Sequence, residues 1–220
     1  MADDAPTRLR AARLYLILER EVRGVPAVEI VSPALRGGVD MVQLRDKDAP
    51  DADLVATGRE LRAACAAAGA LFMVNDRPDL ALECGADGVH LGQDDERVDE
   101  VRAELGDRLL IGISTHSAEQ IAAAERSAAD YLGVGPVFET PTKPGRPAVG
   151  VELVEQAARH ASKPWFAIGG IDARNAQAVV DAGARRLAVV RAIRDAHHPE
   201  QAARRLRAAV DREARVGAPG

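Results

Sequence analysis

Eight short apolar runs, with stretches of helical pattern between them, constrain this chain more than any other feature of its sequence. The runs occupy residues 14–18, 39–44, 71–74, 88–91, 109–113, 131–134, 165–168 and 187–190. Residues 53–68, 117–126, 151–160 and 173–182 carry the patterns of amphipathic helices. Brief runs with little polar alternation suit strands buried on both faces, and parallel strands need a crossover, usually a helix, to return the chain. Local punctuation agrees. Ser117 with Gln120 three residues on approximates a capping box, Asp172 stands ahead of an apolar-periodic stretch, and Gly69 and Gly183 sit where helices should stop.

Eight strands alternating with helices in 220 residues predict a single-domain α/β fold, a (β/α)8 TIM barrel. The barrel is expected over 14–212, between frayed tails at 1–13 and 213–220. An open doubly wound sheet is the alternative, and the lack of a Gly-x-Gly-x-x-Gly fingerprint after the first run counts against it. Hydrophobic residues make up 47% of the chain but aromatics only 3%, so Ala, Val, Leu and Ile must fill the core. A net charge of −5 without a basic stripe argues against nucleic acid as a partner. The arginines at 204, 205, 207 and 212 alternate with Ala and Leu as a solvated helix face does. No long apolar span or signal-peptide core is present, which predicts a cytoplasmic protein that does not enter membranes. Association into a homo-oligomer is left open. Cys65 and Cys84 read as small buried hydrophobes.

In such a barrel, chemistry collects where strands end. After the second run, Gln43, Arg45 and Lys47 alternate onto one side, around Leu44 and Asp46. Two cations and an amide suit a diphosphate, although a solvated cluster with Asp46 and Asp48 would look the same. The third and fourth runs lead into Asn75-Asp76 and Asp94-Asp95, about one strand–helix–strand unit apart. Carboxylates on neighbouring strand ends are what Mg²⁺ needs when a substrate phosphate completes its shell; helix caps and turns are the plainer reading. Ser114 could donate to a phosphate or begin a turn, and His116 reads as structural. His90, opposite Val89 on its strand, reads as packed or hydrogen-bonded there.

The sixth run opens a long loop rich in Gly, Pro, hydroxyls and cations, where Thr140, Thr142 and Lys143 offer phosphate ligands and 140–146 could close as a lid. Gly169-Gly170 after the seventh run can present bare backbone N–H groups, and Val190-Arg191 ends the eighth.

Taken together, QLRDK (43–47), MVNDRPDLALECGADGVHLGQDD (73–95), IGIS (111–114), DYLGVGPVFETPTK (130–143) and AIGGI (167–171) resemble the thiamine-phosphate synthase family, also called thiamine-phosphate pyrophosphorylase. The resemblance implies a barrel that joins 4-amino-2-methyl-5-hydroxymethylpyrimidine diphosphate to 4-methyl-5-(2-hydroxyethyl)thiazole phosphate, giving thiamine phosphate and pyrophosphate. It implies that Gln43, Leu44, Arg45, Asp46, Lys47, Asn75, Ser114 and Lys143 bind the pyrimidine diphosphate, and that Asp76 and Asp95 bind Mg²⁺. Thr140, Pro141, Thr142, Gly170, Val190 and Arg191 would hold the thiazole phosphate. Arg45, Lys47 and Lys143 would act catalytically by stabilising the leaving pyrophosphate. Departures from the family are Leu18-Glu19-Arg20 where Thr-Asp is common, Arg185-Arg186 for Asp-Gly, and Arg191 for Ser. A thiazole tautomerase using His116, or a phosphate-ligand sensor on the same scaffold, are the rival readings.

Overall fold

The computed structural model describes residues 4–140 and 147–216, with side chains as far as Asp211. After a short helix α1 (Ala5–Ala11), eight parallel strands close into a barrel. They are β1 (Leu14–Leu18), β2 (Met41–Leu44), β3 (Leu71–Asn75), β4 (Gly88–Leu91), β5 (Leu110–Thr115), β6 (Tyr131–Val134), β7 (Trp165–Ile168) and β8 (Leu187–Val189). Each pairs with its neighbours in sequence, and β1 closes the ring by pairing with both β2 and β8. Around it lie α2 (Ala27–Arg36), α3 (Asp51–Ala68), α4 (Pro78–Cys84), α5 (Val98–Leu105), α6 (Ala118–Arg126), α7 (Gly150–His160), α8 (Ala176–Asp181), α9 (Arg191–Arg194) and α10 (Pro199–Val216). The (β/α)8 barrel expected from the eight apolar runs is the fold observed. No helix among the described residues is long and apolar enough to cross a membrane.

The two-residue period of a strand divides each run between two cores. In β1, Leu14, Leu16 and Leu18 pack outward under the helices, while Tyr15 and Ile17 point into the barrel. Met41, Met73, Leu110, Phe166 and Ala188 continue the inner set. With both faces buried, the strands read in sequence as nearly unbroken apolar runs. Tyr15, Tyr131 and Phe166 meet edge to face in the interior, with ring centroids 5.3–6.2 Å apart. Glycine makes room for them, since a Cβ at Gly112 would overlap the Tyr131 ring.

The expected frayed N-terminal tail is corrected for Ala5–Ala11. The Asp4 side chain caps α1 by accepting from the Thr7 N–H at 3.0 Å, and Leu9, 3% exposed, closes the lower end of the barrel interior. Arg8 binds Asp87 at 2.6 Å and the Ala70 carbonyl at 3.1 Å. Arg186 donates to the Arg10 carbonyl at 2.9 Å, so this departure from the family pattern holds the C-terminal end of α1. At the other end of the chain, α10 runs past residue 212 to Val216.

Aspartates ahead of alternate strands tie this lower rim. Asp40 accepts from the Arg13 and Leu14 N–H groups, Asp87 from Phe72 and Asp130 from Ile111, at 2.7–3.0 Å. Each also meets an arginine: Arg207, Arg8 and Arg102 respectively. Ser117 caps α6 as expected, and Gly69 ends α3 in the left-handed region at φ 71°. Asp172 does not begin a helix. It exchanges hydrogen bonds with Arg174 and Asn175 in a turn, and α8 starts at Ala176.

Candidate active site

The upper rim, where the strands end, holds a cavity of about 340 Å³. Gln43, Arg45, Asn75, Ser114, Thr140, Gly170, Val190 and Arg191 all line it, although they come from six separate strand ends. A second hollow of about 240 Å³ adjoins it, lined by Leu44, Asp46, Lys47, Asp76 and again Asn75, which therefore forms a shared wall. These twelve of the residues nominated from sequence thus line two neighbouring compartments.

Asp76 follows β3 with a left-handed backbone, φ 59°, a conformation that Asp tolerates better than most residues. Its N–H donates to the His90 carbonyl of β4 at 2.9 Å, which fixes the turn. The carboxylate lies 3.0 Å from Lys47 Nζ and hydrogen-bonds with Asp95. Burial first, and then Asp95, push the Asp76 carboxyl above its usual range, against the pull of Lys47. Asp95 also accepts from the Gly92 N–H at 2.7 Å. Two carboxylates facing one another with a single lysine at hand form a hard oxygen donor set. Among the described residues no third acidic, histidine or cysteine side chain joins it. A divalent cation there would take its remaining ligands from water or phosphate, an arrangement that suits Mg²⁺.

Other nominated residues sit less directly. The Leu44 side chain packs outward in the core under the helices, so only its backbone can face a ligand. Asp46 lies 3.9 Å from Arg20. Gly170 turns at φ 64°, and a Cβ there would come within 2.7 Å of Phe138 Cβ and 2.8 Å of the Glu139 carbonyl oxygen. Val190 immediately precedes α9, whose first residue, Arg191, is exposed at the rim. Pro141, Thr142 and Lys143 lie outside the described residues. His116 Nδ1 donates to the Gly135 carbonyl and the His116 N–H to Gln120 Oε1, and the residue lines the main cavity.

Two groups went unforeseen. Glu19 and Asp195, on the cavity wall, both bind Arg194, at 2.7 and 2.8 Å. The chain separates Glu19 from Arg194 by the whole barrel, so no local pattern announces the pair. The second group is a buried set of hydrogen bonds among Gln43, Tyr15, Tyr131, His90 and Ser114. Its signal was available: both tyrosines of the chain stand within apolar strand runs, where a hydroxyl needs a partner.

The family model for thiamine monophosphate synthase matches residues 14–193. The chain belongs to the thiamine monophosphate synthase family. It is 52% identical over 196 residues to a thiamine-phosphate synthase of Gloeobacter violaceus (strain ATCC 29082 / PCC 7421), a match covering 89% of this chain and 57% of that protein. It is 51% identical over 202 residues to a thiamine-phosphate synthase of Thermobifida fusca (strain YX), covering 91% and 93%. The structure of a thiamine phosphate pyrophosphorylase from Pyrococcus furiosus superposes with a TM-score of 0.85 at 36% identity, covering 95% and 98%. This chain therefore spans little more than half of the Gloeobacter relative but nearly all of the other two. All the nominated residues fall within the span shared with the thiamine monophosphate synthase family.

Proposed function

We propose that this chain is a thiamine-phosphate synthase, a transferase that joins 4-amino-2-methyl-5-hydroxymethylpyrimidine diphosphate to 4-methyl-5-(2-hydroxyethyl)thiazole phosphate in the cytoplasm. The observation that carries this reading is the convergence of Lys47, Asp76 and Asp95 beside the wall that Asn75 shares with the main cavity. One compartment suits a diphosphate, and the other has room for the organic parts of two substrates.

In this reading Gln43, Arg45, Lys47, Asn75, Ser114 and Lys143 hold the pyrimidine diphosphate, with Leu44 and Asp46 contributing backbone and orientation. Thr140, Pro141, Thr142, Gly170, Val190 and Arg191 hold the thiazole phosphate. Asp76 and Asp95 would hold Mg²⁺, which when bound supplies positive charge to the departing diphosphate. The bond between the pyrimidine methylene carbon and the diphosphate oxygen breaks, and its electron pair leaves with pyrophosphate. The thiazole nitrogen then gives its lone pair to the methylene cation, forming the new C–N bond. No proton transfer is required in either step, so this chain's residues act by position and charge. Arg45, Lys47 and Lys143 meet negative charge as it grows on the leaving group. The apolar wall formed by Ile17, Ile168 and Ala188 limits water near the cation.

The tautomerase alternative would draw on His116 for proton transfer, and the engagement of its ring with Gly135 supports a structural role instead. The test is Asp76→Ala. We expect kcat to fall about 100-fold or more, a loss of about 2.7 kcal/mol in transition-state stabilisation, with the melting temperature kept. Turnover equal to the wild type would refute the assignment.

A further inference from the structure

Five buried polar side chains cross the barrel interior in a single file from one cavity residue to another. Gln43 Nε2 donates to Tyr15 Oη, Tyr15 Oη lies 3.1 Å from Tyr131 Oη, and Tyr131 Oη lies 3.0 Å from His90 Nδ1. His90 Nε2 lies 2.9 Å from Ser114 Oγ. Gln43, Tyr15 and Tyr131 are at most 2% exposed, and His90 and Ser114 at most 9%. Gln43 and Ser114, at the two ends, both line the cavity.

Each hydroxyl in such a file has one hydrogen to place, and leaving one buried without an acceptor is costly. Tyr15 receives from the Gln43 amide, so its own hydrogen goes to Tyr131. Tyr131, having received, gives its hydrogen to His90 Nδ1. His90 is then the neutral Nε2–H tautomer and donates to Ser114 Oγ. A doubly protonated His90 would donate to Tyr131, and one of the two tyrosine hydrogens would then be left without an acceptor. With the Gln43 amide nitrogen on Tyr15, the file runs from Gln43 to Ser114.

We propose that Tyr15, Tyr131 and His90 are positioning residues that fix the hydrogen-bonding polarity of the cavity, so that Gln43 presents its amide oxygen as an acceptor and Ser114 its hydroxyl hydrogen as a donor. Gln43 cannot turn its amide over without reversing every hydroxyl and the histidine tautomer behind it. The acceptor at Gln43 selects a ring bearing an exocyclic amine over one bearing a carbonyl and a ring N–H at that edge. The donor at Ser114 suits a phosphate oxygen. Applied to the pyrimidine diphosphate, the inference rests on the proposed function: the enzyme distinguishes 4-amino from 4-oxo pyrimidine diphosphates through two tyrosine hydroxyls that stand behind the cavity lining and through His90 on its wall.

Two measurements test it. Long-range proton–nitrogen NMR of uniformly ¹⁵N-labelled, ligand-free protein reads the tautomer of His90, assigned by the loss of its signals in His90→Gln. A proton on Nε2 is expected; a proton on Nδ1, or on both nitrogens, overturns the proposal whatever the enzyme's activity. The second is the ratio of kcat/KM for the 4-amino over the 4-oxo pyrimidine diphosphate in wild type and Tyr15→Phe. Removing that hydroxyl frees Gln43 to turn, and the ratio should fall about 10-fold or more. A Tyr15→Phe protein that loses activity on both substrates equally, leaving the ratio unchanged, would show a merely structural role. If the wild type turns over neither diphosphate, the functional reading fails while the NMR result still decides the polarity.

Discussion

Replacing Leu9 with alanine tests whether the N-terminal helix is part of the barrel's core or an appendage. Leu9 is 3% exposed and belongs to the inner core cluster with Tyr15, Met41 and Leu71. The substitution removes three buried carbon groups, about 2.4 kcal/mol of transfer free energy at about 0.8 kcal/mol each. Large-to-small replacements in cores cost about 2–5 kcal/mol once the residual cavity is included. Because α1 is a short helix, it can settle or detach, so a loss near the middle of that range, about 3 kcal/mol, is expected. For a chain of this size that corresponds to a melting temperature lower by about 6–12 °C, at about 2–4 °C per kcal/mol. Calorimetry measures the shift, and steady-state turnover well below the transition measures function. Because α1 sits below the strand starts, at the far end from the cavity, kcat/KM should stay within about twofold of wild type. A melting temperature within about 1 °C of wild type would refute the reasoning.

Arg191→Ser should raise the KM for the thiazole phosphate several-fold with kcat nearly unchanged, and an unaltered KM would remove Arg191 from that subsite. The protein should also lose stability in alkali. Burial pushes the Cys65 thiol up from 9.0 to about 12, and it raises Cys84, Tyr15 and Tyr131 as well. The folded state holds these protons more tightly than the unfolded chain, so the contribution from Cys65 is complete below pH 9.0 and is lost as pH rises toward about 12. Urea midpoints between pH 8 and 11 should record a decline of about 1.4 kcal/mol per pH unit for each group titrating in the unfolded chain alone. A flat profile above pH 9 would contradict it.

The strands were the most legible part of the fold because two-sided burial writes them as apolar runs: β1, β4, β6 and β7 match the expected limits residue for residue. Ser117 was legible because its cap is local. Asp172 misled, since the same side chain that caps helices also builds turns, and here it binds Arg174 and Asn175. Helix α1 was missed because its fit depends on Asp87, Ala70 and Arg186, all remote in sequence. At the rim, Gln43, Arg45, Asn75, Asp76 and Ser114 stood out as polar residues at strand ends, and those positions meet around two adjoining compartments. The Glu19–Arg194 pair and the tyrosine–histidine file were not foreseen, because each requires knowing which inward positions face one another across the closed barrel.

In the proposed reaction two substrates meet over a diphosphate held by Lys47 and by Mg²⁺ on Asp76 and Asp95. The direct measurement is pyrophosphate release from the purified protein with each substrate alone and with both, with and without Mg²⁺. Release is expected only when both substrates and Mg²⁺ are present, in step with thiamine phosphate formation. Conversion of a thiazole phosphate without pyrimidine diphosphate or metal, and no pyrophosphate under any condition, would contradict it.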